Sequence, residues 1–98
     1  MINHSRMEFR KVLGIKAQTV VASTAAETAV ASTDGYGQYF NATIHCSTGT
    51  LYVNPTTAAT GSNGFKLSEN QTLDMKVLNS ISVIGQTSNA AFQVIVWE

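Results

Sequence analysis

Cysteine and proline are nearly missing from this chain. It has one of each, Cys46 and Pro55, in 98 residues. A lone cysteine excludes an internal disulfide framework. Cys46 follows Phe40, Ala42 and Ile44 at even spacing, so it reads as a buried apolar thiol rather than a reactive one. Pro55 has no amide hydrogen to donate and stops strand pairing where it stands. Charge is just as scarce. Asp, Glu, Lys and Arg make up 12% of the residues, about half the share usual in soluble proteins, and the net charge is zero. Net charge keeps molecules apart in solution. A chain without it points to a surface covered by neighbouring subunits; a small polar β domain that replaces charge with Thr, Ser and Asn has the same composition. No apolar run approaches the roughly 18 residues of a membrane-spanning helix. Arg6, Glu8, Arg10 and Lys11 interrupt any signal-peptide stretch at the N-terminus. A chain made and kept in a cytoplasm, with no membrane partner, is expected. The length allows one domain and one modest core, hiding about 60–65% of the extended-chain surface.

Chemistry is also thin. The histidines are His4 and His45, far apart in the chain. His45 and Cys46 are adjacent on an alternating segment and point to opposite faces, so they cannot share a metal or form a nucleophile pair. No Gly-x-Ser-x-Gly elbow is present for a serine nucleophile. Asp74 alternates with Leu73 and Met75 and is expected to face solvent, away from any cleft that could hold paired carboxylates. Gly35 and Gly37 form a lone Gly-x-Gly with no third glycine and no following helix, which leaves phosphate binding unsupported. The expectation is a protein that is not an enzyme, with no catalytic residues, no metal and no cofactor. Tyr36, Tyr39, Tyr52 and Trp97 are candidates for stacking against sugar rings, but they are scattered over different segments.

What the chain does have is alternation. From Asn63 to Glu98, apolar residues fall at every second position between turn signals, as in Leu73-Met75-Val77 and Phe92-Val94-Val96. That is the period of strands with one face in a core. Phe65 to Leu67, Leu73 to Val77, Ile81 to Ile84 and Phe92 to Trp97 are predicted strands. Upstream, Gln38 to Cys46 puts Phe40, Ala42, Ile44 and Cys46 on one face and Tyr39, Asn41, Thr43 and His45 on the other. Ser47-Thr48-Gly49 predicts a hairpin into Thr50 to Asn54. Thr19 to Ala22 and Glu27 to Ala31 are rich in β-branched residues and predict two short strands. Asp34 to Gly37 reads as a turn. The loop 56–63 holds Thr, Ala, Ser and Gly without charge, so it is expected to fold over a surface. The predicted fold is all-β: a small antiparallel sandwich of about seven or eight strands. Its predicted core is Val20, Val30, Phe40, Ile44, Cys46, Leu51, Val53, Leu67, Leu73, Met75, Val77, Ile81, Val83, Phe92, Val94 and Val96.

The composition shifts near residue 16. Arg6, Arg10, Lys11 and Lys16 stand against Glu8 before that point; Lys66 and Lys76 stand against Glu27, Asp34, Glu69, Asp74 and Glu98 after it. Residues 1–16 therefore read as a basic N-terminal docking arm and residues 17–98 as the sandwich domain. Ser5 and Glu8 have capping-box spacing, Phe9, Val12 and Leu13 make one apolar face, and Gly14 is placed as a left-handed cap, which predicts a short helix; an extended arm is the competing form. Arg6, Phe9, Arg10, Lys11 and Leu13 are the candidate interface residues. The body is acidic, which argues against nucleic acid as the partner.

Five segments carry a family resemblance: Gly49-Thr50-Leu51-Tyr52-Val53, Asn63-Gly64-Phe65-Lys66-Leu67, Leu73-Asp74-Met75, Ile81-Ser82-Val83-Ile84-Gly85-Gln86 and the closing Phe92 to Glu98. With the Thr-rich loop between the first two, residues 18 to 98 resemble a recurrent small β-sandwich of structural proteins in tailed bacteriophage virions. Asn70 stands where that pattern has glycine, and asparagine also tolerates positive φ. The resemblance implies a non-enzymatic virion component, foremost a capsid decoration or cement protein. It would stabilise the shell through symmetric contacts with the major capsid protein or other virion proteins. It further implies a homo-oligomer, with a trimer favoured, located on the capsid surface after assembly in the host cytoplasm. A head–tail connector, a tail accessory protein and a displayed carbohydrate- or receptor-binding module are the alternatives.

Overall fold

The computed structural model describes residues 11–98. Eight strands follow one another: β1 (Val12–Val21), β2 (Glu27–Ala31), β3 (Tyr39–Thr48), β4 (Leu51–Asn54), β5 (Phe65–Leu67), β6 (Thr72–Leu78), β7 (Ser80–Gly85) and β8 (Ala90–Trp97). A short 3-10 turn at Ser32–Asp34 interrupts them, with the Asp34 carboxylate accepting the Ala31 amide at 2.9 Å. The strands form two four-stranded sheets, β1-β8-β3-β6 in front and β2-β7-β4-β5 behind. All pairings are antiparallel.

The order has a simple origin. β1 pairs with β8, β2 with β7, β3 with β6 and β4 with β5. The chain is thus a long hairpin folded in half at the loop 55–64. The doubled ribbon then rolls, and the β3–β8 and β4–β7 pairings seal the roll. This is the jelly-roll form of the β-sandwich. Its core is the two inner faces. Ile44, Leu51, Ile81, Val83, Phe92 and Val94 are essentially inaccessible. Each large apolar side chain so buried contributes about 1.5–3 kcal/mol.

Most predicted strands stand where the alternation puts them. Four readings change. First, Ser47-Thr48-Gly49 is not a hairpin turn: β3 lies in the front sheet and β4 in the back one, so the segment bridges the sheets. A Gly at positive φ (Gly49, φ 76°) serves such a bridge as well as a hairpin, and alternation does not name a strand's partner. Second, the boundary at residue 16 falls inside β1, and Val12, Leu13 and Gly14 are strand rather than helix. Gly14 is not a helix cap; it lies opposite Val96, where the ring of Tyr36 occupies the space a side chain would take. Third, Val20 is 58% exposed and Val21 takes its place in the core. A bulge between Lys16 and Thr19 shifts the phase of β1, and a one-residue slip exchanges the two faces. Fourth, Leu73 and Met75 are only partly buried, because β6 is an edge strand.

Candidate interaction surface

The outer faces of the two sheets differ. The back sheet is covered by its own loop. Asn54, 7% exposed, organises that loop: its Oδ1 accepts the Thr56 amide at 2.9 Å, the Thr56 hydroxyl at 2.8 Å and the Thr57 amide at 3.0 Å. Its Nδ2 donates to Asn63 O at 3.1 Å. The Ala59 amide donates to Ser82 Oγ on β7 at 2.9 Å, and Ala59 itself is buried. The uncharged loop does fold over a surface, and that surface belongs to the same chain.

The front sheet has no such cover among the described residues. Register sets out its outer face in rows. Val12, Trp97, Asn41 and Lys76 form one row; Ile15, Ile95, Thr43 and Asp74 the next; Gln93, His45 and Thr72 the third. In the first two rows the apolar side chains stand on β1 and β8 and the polar ones on β3 and β6; Tyr39 and Leu78 add an apolar pair at one end of β3 and β6. Ile15 is 69% and Tyr39 75% exposed, and Leu78, opposite Tyr39, is 44% exposed. A hydrogen-bonded chain runs across the middle: Trp97 Nε1 donates to Thr43 Oγ1 at 3.0 Å, and the Thr43 hydroxyl donates to Asp74 Oδ1. His45 Nδ1 and Thr72 Oγ1 meet at 3.0 Å, and Asn41 Nδ2 donates to Glu98 O at 3.0 Å. Three shallow depressions lie along this sheet. An open groove of about 470 Å³ is bounded by Tyr39, Asn41, Lys76, Leu78 and Glu98. One of about 220 Å³ lies beside Thr43, Asp74 and Lys76. One of about 210 Å³ lies between Ile15, His45, Gln93 and Ile95.

Among the described residues no cluster of three His, Cys, Asp or Glu side chains is placed to hold a metal ion. His45 faces outward and Cys46 inward, as the alternation predicts. The Cys46 thiol lies within 3.4 Å of Gly49 O and 3.6 Å of Thr48 O, and burial pushes its pKa up, against a smaller lowering by the Thr48 backbone bond. It is an inert core group, since thiols react as thiolates.

Of the candidate interface residues, Arg6, Phe9 and Arg10 lie outside the described residues. Lys11 is exposed, and its carbonyl accepts the Glu98 amide at 2.8 Å. Leu13 is 39% exposed, in β1. Lys16, counted with the basic arm, instead spans the sheets: its Nζ donates to Ala29 O on β2 at 2.8 Å. The four candidate sugar-stacking aromatics do not converge. Tyr36 packs against the core and Phe40, with ring centroids 6.0 Å apart; Tyr52 sits on the back sheet beside the loop glycines Gly61 and Gly64; only Tyr39 and Trp97 share the front face. Sequence reading missed Ile15, Thr43, Ile95 and Leu78. Thr43 and Ile95 sit in alternating runs, Ile15 stands in the segment read as an arm, Leu78 follows Val77 out of phase, and only the strand order shows that they share one face.

No family model matches the chain, and no curated protein matches its sequence. Solved structures do match its fold. A transcriptional regulator of the HTH_3 family from Vibrio cholerae aligns with 91% of this chain at 13% identity and a TM-score of 0.63; the chain spans 49% of that protein's length. A protein of the Bacillus endospore appendages, a family of disulfide-linked pili, aligns with 90% of this chain and 88% of its own length, at 11% identity and a TM-score of 0.51. At such identities the likeness is one of fold.

Proposed function

We propose that this protein is a non-enzymatic structural component that decorates a bacteriophage capsid and stabilises it through repeated symmetric contacts. The observation that carries the reading is the outer face of the front sheet, over which none of the described loops folds. It presents Val12, Ile15, Ile95, Tyr39 and Leu78 beside hydrogen-bonding groups and the charges of Asp74, Lys76 and Glu98. Such a mixture of apolar and polar groups suits lateral packing against another protein surface. The family resemblance over residues 18 to 98 names the setting, and jelly rolls occur among viral capsid domains. Avidity from many weak contacts then replaces one strong site.

Two measurements test the reading. Quantitative mass spectrometry of purified virions should find hundreds of copies relative to the major capsid protein. About five to twelve copies would place the chain at a connector or tail, and absence would overturn a virion role. A chain lacking residues 1–10, which keeps β1 whole, should bind shells more weakly. Unchanged affinity would remove the arm from the contact. The groove beside Tyr39 favours a second reading, a displayed carbohydrate-binding module, since it joins an exposed ring to the Asn41 amide and the Glu98 carboxylate. Glycan-array binding abolished by Tyr39→Ala would select it.

A further inference from the structure

Four strands lie at sheet edges, and three of them are protected. β1 carries bulges between Val12 and Gly14 and between Lys16 and Thr19. β2 has five residues and a bulge between Thr28 and Val30. β5 has three residues. Bulges, shortness, proline and charged side chains are the usual means of blunting an edge against unwanted pairing. β6 has neither a bulge nor a short span, and its two charges, Asp74 and Lys76, are of opposite sign. Its seven residues, Thr72–Leu78, pair with β3 without a single register shift, and no proline interrupts them. Among the described residues nothing pairs with its other side.

The direction of its peptide groups follows from the hydrogen bonds at its ends. Gln71 O accepts the Cys46 amide at 3.0 Å, and the Asn79 amide donates to Gln38 O at 2.8 Å. Odd-numbered residues of β6 therefore turn their peptide groups towards β3. In an antiparallel ladder this property alternates. Thr72, Asp74, Lys76 and Leu78 turn theirs outward, to the open edge.

The sequence of this edge is complementary to itself. If a second copy of β6 approaches antiparallel about a two-fold axis through Met75, Asp74 lies opposite Lys76 of the other copy and Lys76 opposite its Asp74. Met75 faces Met75, Leu73 faces Val77 and Thr72 faces Leu78. The residues then set directly opposite as hydrogen-bonded pairs are the even-numbered ones, whose peptide groups point outward. Asp74 and Lys76 both belong to the outer face of the sheet, so their side chains meet on one side at cross-strand distance, about 5 Å between Cβ atoms. The half-buried Leu73 and Met75 gain cover on the inner side. Opposite charges directly across strands stabilise the pair, and the same register is what a two-fold, self-complementary contact requires.

We propose that β6 is a homodimerisation edge. Two copies join β6 to β6 about a two-fold axis at Met75, and their front sheets become one continuous sheet. The inference goes beyond the virion reading and does not depend on it. It supplies a two-fold operator, which a closed assembly such as a dihedral hexamer combines with the threefold implied by the family resemblance. It also places two copies of the Tyr39–Leu78 groove beside one axis.

Charge reversal tests the register. Asp74→Lys and Lys76→Asp each put like charges across the axis, twice per dimer. An equimolar mixture of the two variants restores opposite charges at every position. In sedimentation velocity across the micromolar range, the unaltered chain should run at twice its 10.5 kDa mass. Each variant should run at the single mass, and their mixture at the double mass. Lys76→Asp keeps the Thr43–Asp74 bond, so it stands as a test even where Asp74→Lys impairs folding. Met75→Cys adds an independent check. The residue on the axis faces itself at a Cα separation of about 4.5 Å, within disulfide range, so mild oxidation should trap a covalent dimer. A monomer throughout, a dimer indifferent to both charge reversals, or no trapped dimer with Met75→Cys would overturn the proposal.

Discussion

Gly14→Ala tests how the first strand is locked to the rest of the roll. An ideal Cβ at Gly14 would come within 2.8 Å of two ring carbons of Tyr36 and closer still to its hydroxyl. The ring cannot simply swing away without loss. It packs on the core and tilts against Phe40 at 6.0 Å and 55°. Tyr36 also sits in the segment between the 3-10 turn and β3, which carries the chain from the back sheet to the front one. Overpacking of this kind costs about 1–3 kcal/mol. The loss of unfolded-state entropy on replacing glycine by alanine returns about 0.4–1 kcal/mol. The net expectation is a loss of about 1–2 kcal/mol. In urea the midpoint should fall with the slope unchanged, because the surface exposed on unfolding is the same. The partner variant carries the argument. Tyr36→Ala alone should destabilise by lost packing, but in its background Gly14→Ala should be neutral or stabilising. The coupling energy of the cycle then isolates the steric contact. If Gly14→Ala is harmless in the unaltered chain, or equally costly with Tyr36→Ala, the ring does not lock β1.

Three further outcomes follow from single groups. Asn54→Ala removes the acceptor of three hydrogen bonds and the donor to Asn63 O, so it should cost about 1–3 kcal/mol and speed amide exchange at Thr56, Thr57 and Ala59; unchanged exchange would show that the loop holds itself. Thr43→Val breaks the chain from Trp97 to Asp74, and since water reaches that face the cost should be only about 0.5–1.5 kcal/mol, with a change in the emission of the single tryptophan. Burial raises the Cys46 pKa, so folding favours the protonated thiol. Its contribution is complete below the unfolded-state value near 9.0 and is lost as pH rises through the higher folded value. Urea titrations should show an alkaline decline in stability above pH 9 that is smaller in Cys46→Ala; an identical decline would assign it to other groups.

The period-two signal carried the class of fold because it is a local consequence of one buried face. Phe40, Ala42, Ile44 and Cys46 need only each other to announce a strand. Partner choice is not local. Ser47 to Gly49 has the chemistry of a hairpin turn, yet the ribbon had already committed β3 to β6 and β8, leaving β4 to pair with β5 and β7. The phase error at Val20 has the same root. A bulge is one extra residue with no compositional mark, and it moves Val21 into the core in place of its neighbour. Asn70 shows the opposite case. Its φ of 68° is the positive value that asparagine, after glycine, tolerates best, so a turn residue legible in the sequence does its expected work. The candidate surface was the least legible part, because Ile15, Thr43, Asp74 and Ile95 come from four strands and become a row only when the roll closes.

The roll itself makes the two faces unequal. Folding the ribbon in half puts its longest turn, residues 55–64, at the β4–β5 end, and that turn belongs to the back sheet. An uncharged turn with many hydroxyls and amides can satisfy itself only by lying on a surface, and the nearest is the outer face of β4 and β7. The front sheet receives no such segment from the described chain. Its connections are short, and its strands are the longer ones, β1 and β3 at ten residues each and β8 at eight. Longer strands, over which none of the described loops folds, give this face its open depressions beside Tyr39, Asp74 and Ile15. On that face the one edge strand among the described residues with a regular register carries Asp74 and Lys76 in the spacing that matches a second copy of itself. Face and edge adjoin. A partner laid on the face would therefore meet the β6 edge as well, and variants that separate copies at β6 should also change how tightly the face is held.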